Sequence, residues 1–457
     1  MSTTRKHWID RWQPDDESFW RGGGKRIAWR NLGWSILAEN IGFSVWLMWS
    51  VVATRLPLVG FKYTTDQLFQ LVALPGLVGA LLRFPYTFAV PKFGGRNWTI
   101  VSALLLLLPT SLLVWLVQRP DTPFWCMACA AATAGVGGGN FSSSMANISF
   151  FFPDKEKGFA LGLNAAGGNI GVSAVQLFVP IVVGYALLPS ASAAPVHLEN
   201  AGLIWMPLAL VAALGATLFM NNLSSARSNF KEQIVVAQRT QTWIMAWLYI
   251  GTFGSFVGFS AAFPLLLKTQ FPAVTANLAF IGALVGSVTR PLGGKLADRI
   301  GGAKVTFWNF VAMTLATLVL HWALEVKSFG MFLASFLLLF ITTGVGNGST
   351  FRMIPVIFKT YHLQRARGRG EAAEVEAIAI ARRETAAVIG IVAAVGALGG
   401  YFVPRGFGAS LKATGSVGTA ILCFIAYYVT CFAITWFFYL RRTFLASRMP
   451  SLAEADA

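Results

Sequence analysis

Long apolar runs alternate with short polar breaks along the whole chain. The runs occupy 34–54, 68–90, 97–117, 124–152, 158–188 and 201–221. After a polar stretch from Asn222 to Gln241 they resume at 242–268, 273–293, 304–325, 328–355, 384–404 and 416–440. Each reaches the ~20 residues with which an α-helix crosses a ~30 Å hydrocarbon core. The pattern predicts an all-α membrane protein of twelve transmembrane helices. It divides into a polar segment over 1–33, a six-helix half over 34–221, a central loop over 222–241, a second six-helix half over 242–440 and a polar tail over 441–457.

Charge gives this pattern an orientation. The N-terminal segment, the loops after the even-numbered runs and the C-terminal tail carry 26 Lys and Arg, against seven in the opposite loops. The positive-inside rule then predicts that both termini are cytoplasmic. The most charged loop, 359–383, is expected to hold a short amphipathic helix on that face, its arginines forming a solvated, lipid-facing surface. No cleavable signal peptide is expected, because the first ~30 residues have no apolar core.

Composition agrees with the membrane reading. The chain is 55% hydrophobic and 12% charged, where soluble domains carry roughly a quarter charged residues. The formal charge of +17 would suggest nucleic acid in a soluble protein, but here it sits in short loops and sets orientation. Cys126 and Cys129 form a lone CxxC in an apolar run, which reads as packing. The four His are scattered, and no Ser/His, paired-carboxylate or metal-ligand spacing supports an enzyme, so no cofactor and no metal are expected.

Two segments repeat. GALLRFPYTFAVPKFGG surrounds Arg83 and GSVTRPLGGKLADRIGG surrounds Arg290, with a Gly four residues before each Arg and Gly-Gly beginning eleven residues after it. Gly135 opens GVGGGNFSSSM and Gly344 opens GVGNGSTFRM, so the offsets are 207 and 209 residues. Landmarks in one order at a nearly constant offset indicate duplicated halves. Two such halves describe the major facilitator fold, in which the substrate site lies between halves near the bilayer midplane. GGKLADRIGG also looks like the loop motif of that superfamily, which would make Asp298 and Arg299 gate and turn residues.

Arg83 and Arg290 are predicted to lie some 10–15 Å inside their spans, from a rise of ~1.5 Å per residue. A charge at that depth costs a few kcal/mol even on insertion scales, and it persists where it faces a cavity or a counter-ion. Glu39 is the only carboxylate well inside the first half, so the two arginines leave an excess of positive charge. A forked guanidinium suits a planar oxyanion; the alternative is a structural arginine. Arg352, nearer the end of its run, is expected to snorkel. The glycines of GFALGLNAAGGNIGVS in the fifth run and those from Gly390 to Gly400 in the eleventh fit close helix packing. Asn164 and Asn169 add buried amides that need partners. Tyr249 and Phe253, four residues apart, share one helix face.

These residues resemble the bacterial nitrate/nitrite porters of the major facilitator superfamily, the NarK family. The matching stretches are WQPDDESFW, GFKYTTDQLF, ALLRFPYTFAVPKFGGRNWT, GNFSSSMANISFFFPDKEKGFALGLN, GNIGVSAVQL, YIGTFGSFVGFSAAFPLLLKTQFP, GSTFRMIPVIF and GALGGYFVP. They run from about Trp12 to Trp436 and are more specific than the general superfamily loop motif. The resemblance implies a monomeric, multi-pass protein of the bacterial inner membrane that imports nitrate in exchange for nitrite, serving respiration or assimilation. It also implies that Arg83 and Arg290 clamp the anion, that Phe43, Phe141 and Phe253 line it, and that Tyr249 and Asn169 supply polar contacts. Gly167, Gly168 and Gly171, with Gly396, Gly399 and Gly400 in the second copy, fall in the family's glycine-rich stretches and are expected to serve conformational change.

Two departures matter. Where the family pattern has Asn-Gly-Gly, this chain has Asn164-Ala165-Ala166. The first run also carries Glu39 where the antiporters have an apolar residue and proton-coupled members an acid in a similar context. Proton-coupled nitrate symport, or nitrite export, is therefore the alternative to exchange, with Glu39 as the possible coupling group.

Overall fold

The computed structural model describes residues 7–187, 196–226 and 235–441. The expected tail over 441–457 lies outside the described residues beyond Arg441, as does the middle of the central loop.

Twelve long helical segments run through the described residues. They are α1 (Glu17–Val59), α2 (Thr65–Phe93), α3 (Gly95–Leu116), α4 (Phe124–Thr133 continued by Gly135–Phe151), α5 (Asp154–Val182) and α6 (Asn200–Phe219), then α7 (Thr240–Gln270), α8 (Ala279–Ile300), α9 (Gly302–Glu325), α10 (Phe329–Ala366), α11 (Glu371–Thr414) and α12 (Gly418–Leu440). Ten are long and apolar enough to cross a membrane; α4 and α8 are the exceptions. The first is diluted by Gly, Asn and Ser, and the second carries Arg290, Lys295, Asp298 and Arg299.

The chain forms two compact units. The first comprises 1–228, 258–284 and 400–413; the second comprises 229–257, 285–399 and 414–457.

Within the first unit, α2 begins at a capping box. The Thr64 hydroxyl accepts from the Gln67 backbone N–H at 3.3 Å and the Gln67 side chain accepts from the Thr64 N–H at 2.9 Å. The helix stops at Gly94, whose φ of +88° favours glycine. A Cβ on the next glycine, Gly95, would overlap the Asn147 side chain of α4. The second unit repeats this turn, with Gly301 at φ +93° between α8 and α9. The Gly preceding each arginine has a packing task. A Cβ at Gly79 would lie 2.6 Å from the Trp46 ring, and one at Gly286 would lie 2.8 Å from the Phe256 ring. The repeat read from the sequence is thus a repeat of turns and close helix approaches.

Also within the first unit, the far ends of α7 and α11 are tied to α1, α2 and α5. Gln176 Nε2 donates to the Ser260 carbonyl at 2.7 Å and Arg405 pairs with Asp66 at 2.8 Å. Arg55 donates to Asn277 at 2.8 Å, and Lys268 donates to the Thr54 carbonyl.

The polar segment over 1–33 is structured from Trp8. Trp8–Ile9 (β1) pairs in parallel with Asn222–Leu223 (β2), and Trp12 and Trp20 pack with Phe151, Phe152 and Leu32. Asp16 caps the start of α1, and the Ser18 hydroxyl with the Phe19 and Ser18 N–H groups holds its carboxyl below the usual range. Hydropathy marks where a helix meets lipid, whereas the helix itself continues as long as its backbone bonds are satisfied.

For the same reason α8 extends to Ile300, and the basic stretch 359–383 is a correction. It holds no separate amphipathic helix: α10 runs on to Ala366, and after a turn with Gly368 and Gly370 at positive φ, α11 starts at Glu371. Its arginines are exposed, as expected. Beneath them Glu384 is buried, paired with Arg239 at 2.8 Å and with His362 at 2.9 Å.

Arg352 is about half-exposed, and its guanidinium also pairs with Asp298, itself about half-exposed. One turn of α10 and the end of α8 place them together. Arg299 is exposed beside this pair.

Candidate functional site

In the first unit, α2 carries Arg83 into a pocket of aromatic rings. The side chain is 0% exposed. Its Nε donates to the Gly138 carbonyl of α4 at 3.1 Å. Its guanidinium carbon lies 4.6 Å from the centre of the Phe141 ring and 5.4 Å from that of Trp46. Phe43 stacks on Phe141 at 6.2 Å and lies 5.2 Å from Trp46. Trp46 is itself pinned, its Nε1 donating to the Pro75 carbonyl at 2.7 Å. Arg83, Phe43 and Phe141 are thus brought together as expected, and Trp46 joins them. It stands three residues after Phe43, on the same face of α1.

Glu39 lies one turn before Phe43 and is 1% exposed. One carboxylate oxygen accepts from Asn164 Nδ2 of α5 at 2.7 Å and from the Ser144 hydroxyl of α4. Asn164 also donates to Ser144 at 3.0 Å. The glycines of α5 form the seam with α1. A Cβ at Gly167 would meet Ile36, one at Gly168 would meet the Glu39 carboxylate, and one at Gly171 would meet the Asn40 carbonyl. Across this seam Asn40 donates to the Gly167 carbonyl at 2.8 Å and Ser44 to the Gly171 carbonyl at 2.9 Å. Asn169 is fully buried, and neither of its amide atoms has a hydrogen-bond partner among the described residues.

The second unit holds a parallel arrangement. Arg290 of α8 is 5% exposed, and its Nη2 donates to the Tyr249 hydroxyl of α7 at 3.4 Å. Tyr249 and Phe253 stack at 5.3 Å. Phe351 of α10 lies 5.8 Å from the Arg290 guanidinium and 6.1 Å from Tyr249. Gly396 of α11 leaves room for Tyr249, because a Cβ there would lie 2.5 Å from its ring, and Gly399 packs on the Gly254 backbone. Gly400 belongs to the first unit, where it packs on Gly76. Asp298 and Arg299 sit at the exposed end of α8 and take no part in the aromatic cluster.

Sequence reasoning missed Phe351. Gly135 and Gly344 align the two motifs, but Phe141 follows the first by six residues and Phe351 the second by seven. A fixed offset sets Thr350 opposite Phe141. The Phe in GSTFRM was the available signal, hidden by a slip of one residue.

Both clusters pair a buried guanidinium with phenylalanine faces. Cation–π contacts contribute from ~0.5 kcal/mol at exposed sites to ~2 kcal/mol when desolvated, and they restrain the guanidinium against the ring. Such a site offers flat walls and forked donors, the chemistry a small planar anion requires.

Comparison with known proteins identifies the family. The Major Facilitator Superfamily profile matches residues 40–374. The chain is 44% identical to the nitrate/nitrite transporter NarU of Escherichia coli K12 over 95% of its own length and 96% of that protein. It is 36% identical to the "Probable nitrate/nitrite antiporter NarK2" of Thermus thermophilus over 97% of this chain and 98% of that one. Among solved structures, a bacterial homologue of the human lysosomal transporter Spinster aligns with a TM-score of 0.61 at 13% identity, over 92% of this chain and 97% of that one. The nucleoside transporter NupG aligns at 0.62 and 10% identity, over 90% and 98%; likeness at such low identity speaks for the fold alone. The chain is a transporter and not an enzyme: it belongs to the NarK- and NarU-type porters of the major facilitator superfamily.

Proposed function

We propose that the protein exchanges nitrate for nitrite across a bacterial inner membrane by alternating access, as a monomer with both termini cytoplasmic. The observation that carries this reading is the buried arginine lying over a phenylalanine ring in each unit, Arg83 over Phe141 and Arg290 over Phe351. The high identity to a nitrate/nitrite transporter along nearly the full chain supports it.

In this reading Arg83 and Arg290 hold the anion through forked hydrogen bonds. Phe43, Phe141 and Phe253 give flat, weakly polar walls that suit a planar, weakly hydrated ion, while Tyr249 and Asn169 are its polar contacts. Exchange requires that the unloaded carrier does not reorient. Keeping two guanidinium charges away from water is costly, and a bound monovalent anion offsets part of that penalty. The α1–α5 seam at Gly167, Gly168 and Gly171, and the glycines Gly396, Gly399 and Gly400, permit sliding of closely packed helices. In this reading the ion pair of Asp298 with Arg352, beside Arg299, opens and closes with that motion.

Glu39 carries the second reading, proton-coupled nitrate symport or nitrite export. Its burial makes it a candidate proton carrier. Its carboxylate is nonetheless held by two donors, Asn164 and Ser144. That favours a fixed group at the junction of α1, α4 and α5, and hence exchange.

The test is nitrate uptake into proteoliposomes, with and without internal nitrite and with and without a pH gradient. Exchange predicts uptake driven by internal nitrite and indifferent to the gradient, and Glu39→Gln should leave it largely intact. Uptake that needs the gradient and is lost in Glu39→Gln, while nitrate/nitrate counterflow survives, would transfer the function to symport.

A further inference from the structure

Asn347 on α10 is 1% exposed, and neither its amide oxygen nor its amide nitrogen has a hydrogen-bond partner among the described residues. A buried polar side chain is normally paired, and an unpaired one lowers stability. The residues around it fix the direction in which it points.

Gly348 abuts α8, since a Cβ there would meet the Arg290 carbonyl and the Gly294 backbone. Thr350 faces α7, its hydroxyl 3.2 Å from that of Thr252. With 3.6 residues per turn, side chains are spaced ~100° apart around the helix. Asn347 then falls on the arc between these two directions, ~60° from Thr350 and ~100° from Gly348. Phe351 falls on the same arc, and its ring does lie against both Tyr249 of α7 and Arg290 of α8. Asn347 is one turn away from it, ~6 Å along the axis. Gly346, its neighbour, packs on Asn309 of α9 and Thr252 of α7. Ser349, by contrast, turns away towards α9, where it bonds Thr306 at 2.8 Å.

We propose that Asn347 is a further ligand of the transported oxyanion, its side-chain N–H donating to an anion oxygen beside the Arg290, Tyr249 and Phe351 cluster. This inference rests on the anion-transport reading of the preceding subsection. An amide donor beside a buried arginine is satisfied when the anion arrives, and the stability given up in the unloaded protein is returned as affinity.

The experiment uses full-length purified protein and two variants. Asn347→Leu keeps the volume and removes the amide; Asn347→Ala removes it and leaves space. Apparent nitrate affinity is read by counterflow in proteoliposomes, and thermal stability by melting in detergent without nitrate. The expected result is nitrate affinity about tenfold weaker in both variants, the size of one lost hydrogen bond to an ion, with the melting temperature of Asn347→Leu equal to or above that of the unaltered protein. Unchanged nitrate affinity overturns the proposal. A lowered melting temperature in both variants assigns the amide to packing and overturns it as well. If Asn347→Leu does not fold, Asn347→Ala decides by affinity alone. Unaltered protein that moves neither nitrate nor nitrite would instead end the functional reading itself, so the two failures are distinguishable.

Discussion

The two arginine clusters share an arrangement but differ in how the arginine is anchored. Arg83 is held by a backbone carbonyl, that of Gly138, with Phe141 and Trp46 against its faces. Arg290 is held by a side chain, the Tyr249 hydroxyl, at the longer distance of 3.4 Å, with Phe351 further from it than Phe141 is from Arg83. A carbonyl inside a helix is fixed by the helix itself, whereas a phenol hydroxyl moves with its side chain. The anchor of Arg83 is therefore the more rigid of the two and that of Arg290 the more adjustable.

The largest expected effect comes from the arginines. Arg83→Lys and Arg290→Lys keep the charge and lose the fork. Each should lower nitrate exchange about a hundredfold or more, with the protein still inserting and folding, from the loss of charge-assisted bidentate bonds. The contrast adds an ordering: Arg83→Lys should be the more damaging, because a backbone anchor cannot follow a shorter head group. Initial exchange rates in proteoliposomes would break the comparison if Arg290→Lys proved equal or worse.

Next comes Gly138→Ala. Its Cβ would lie 2.6 Å from the Trp46 ring, which cannot retreat while bonded to the Pro75 carbonyl. Overpacking of this kind costs ~1–3 kcal/mol. A lower melting temperature and a transport loss of more than about tenfold are expected. Wild-type values for both would show that the Arg83 pocket is not rigid.

Tyr249→Phe probes the adjustable anchor. One long hydrogen bond to a charged group is lost while the stacking surface on Phe253 remains. Apparent nitrate affinity should fall about three- to tenfold, at the lower end for bonds to ions, with no change in melting temperature.

The smallest effects separate the two rings. Phe141→Leu and Phe351→Leu both remove a π face, but Phe141 is the closer to its guanidinium, at 4.6 Å against 5.8 Å. Losses of about two- to fivefold are expected, the lower end of the range for such contacts, ~0.5–1 kcal/mol, because leucine keeps the apolar packing, with Phe141→Leu the larger. A larger loss for Phe351→Leu would mean that the Arg290 cluster, not the Arg83 cluster, is the tighter one.

Much of this architecture could be read from the chain before any coordinates. Transfer of apolar side chains from water to lipid is roughly additive along a helix, so the hydropathy pattern located the runs that became α1 to α12. The cost of a charge in lipid is local too, so Arg83 and Arg290 stood out at once. Gly94 and Gly301 were visible as Gly-Gly landmarks because the turns that end α2 and α8 need positive φ.

Only the tertiary structure decided the rest, because the partners of a buried polar group come from other helices. Glu39 meets Asn164 across 125 residues of sequence, and Arg83 meets Gly138 across 55. Phe351 was displaced by one residue from its counterpart, and a slip of one residue turns a helix face by ~100°. Whether a side chain then points to a guanidinium, to lipid or to a neighbouring helix is a matter of helix phase, fixed by the packing of all its neighbours at once. Composition and spacing do not contain that phase, which is why Asn347 passed as one more small polar residue in a glycine-rich run until Gly348 and Thr350 fixed the faces on either side of it.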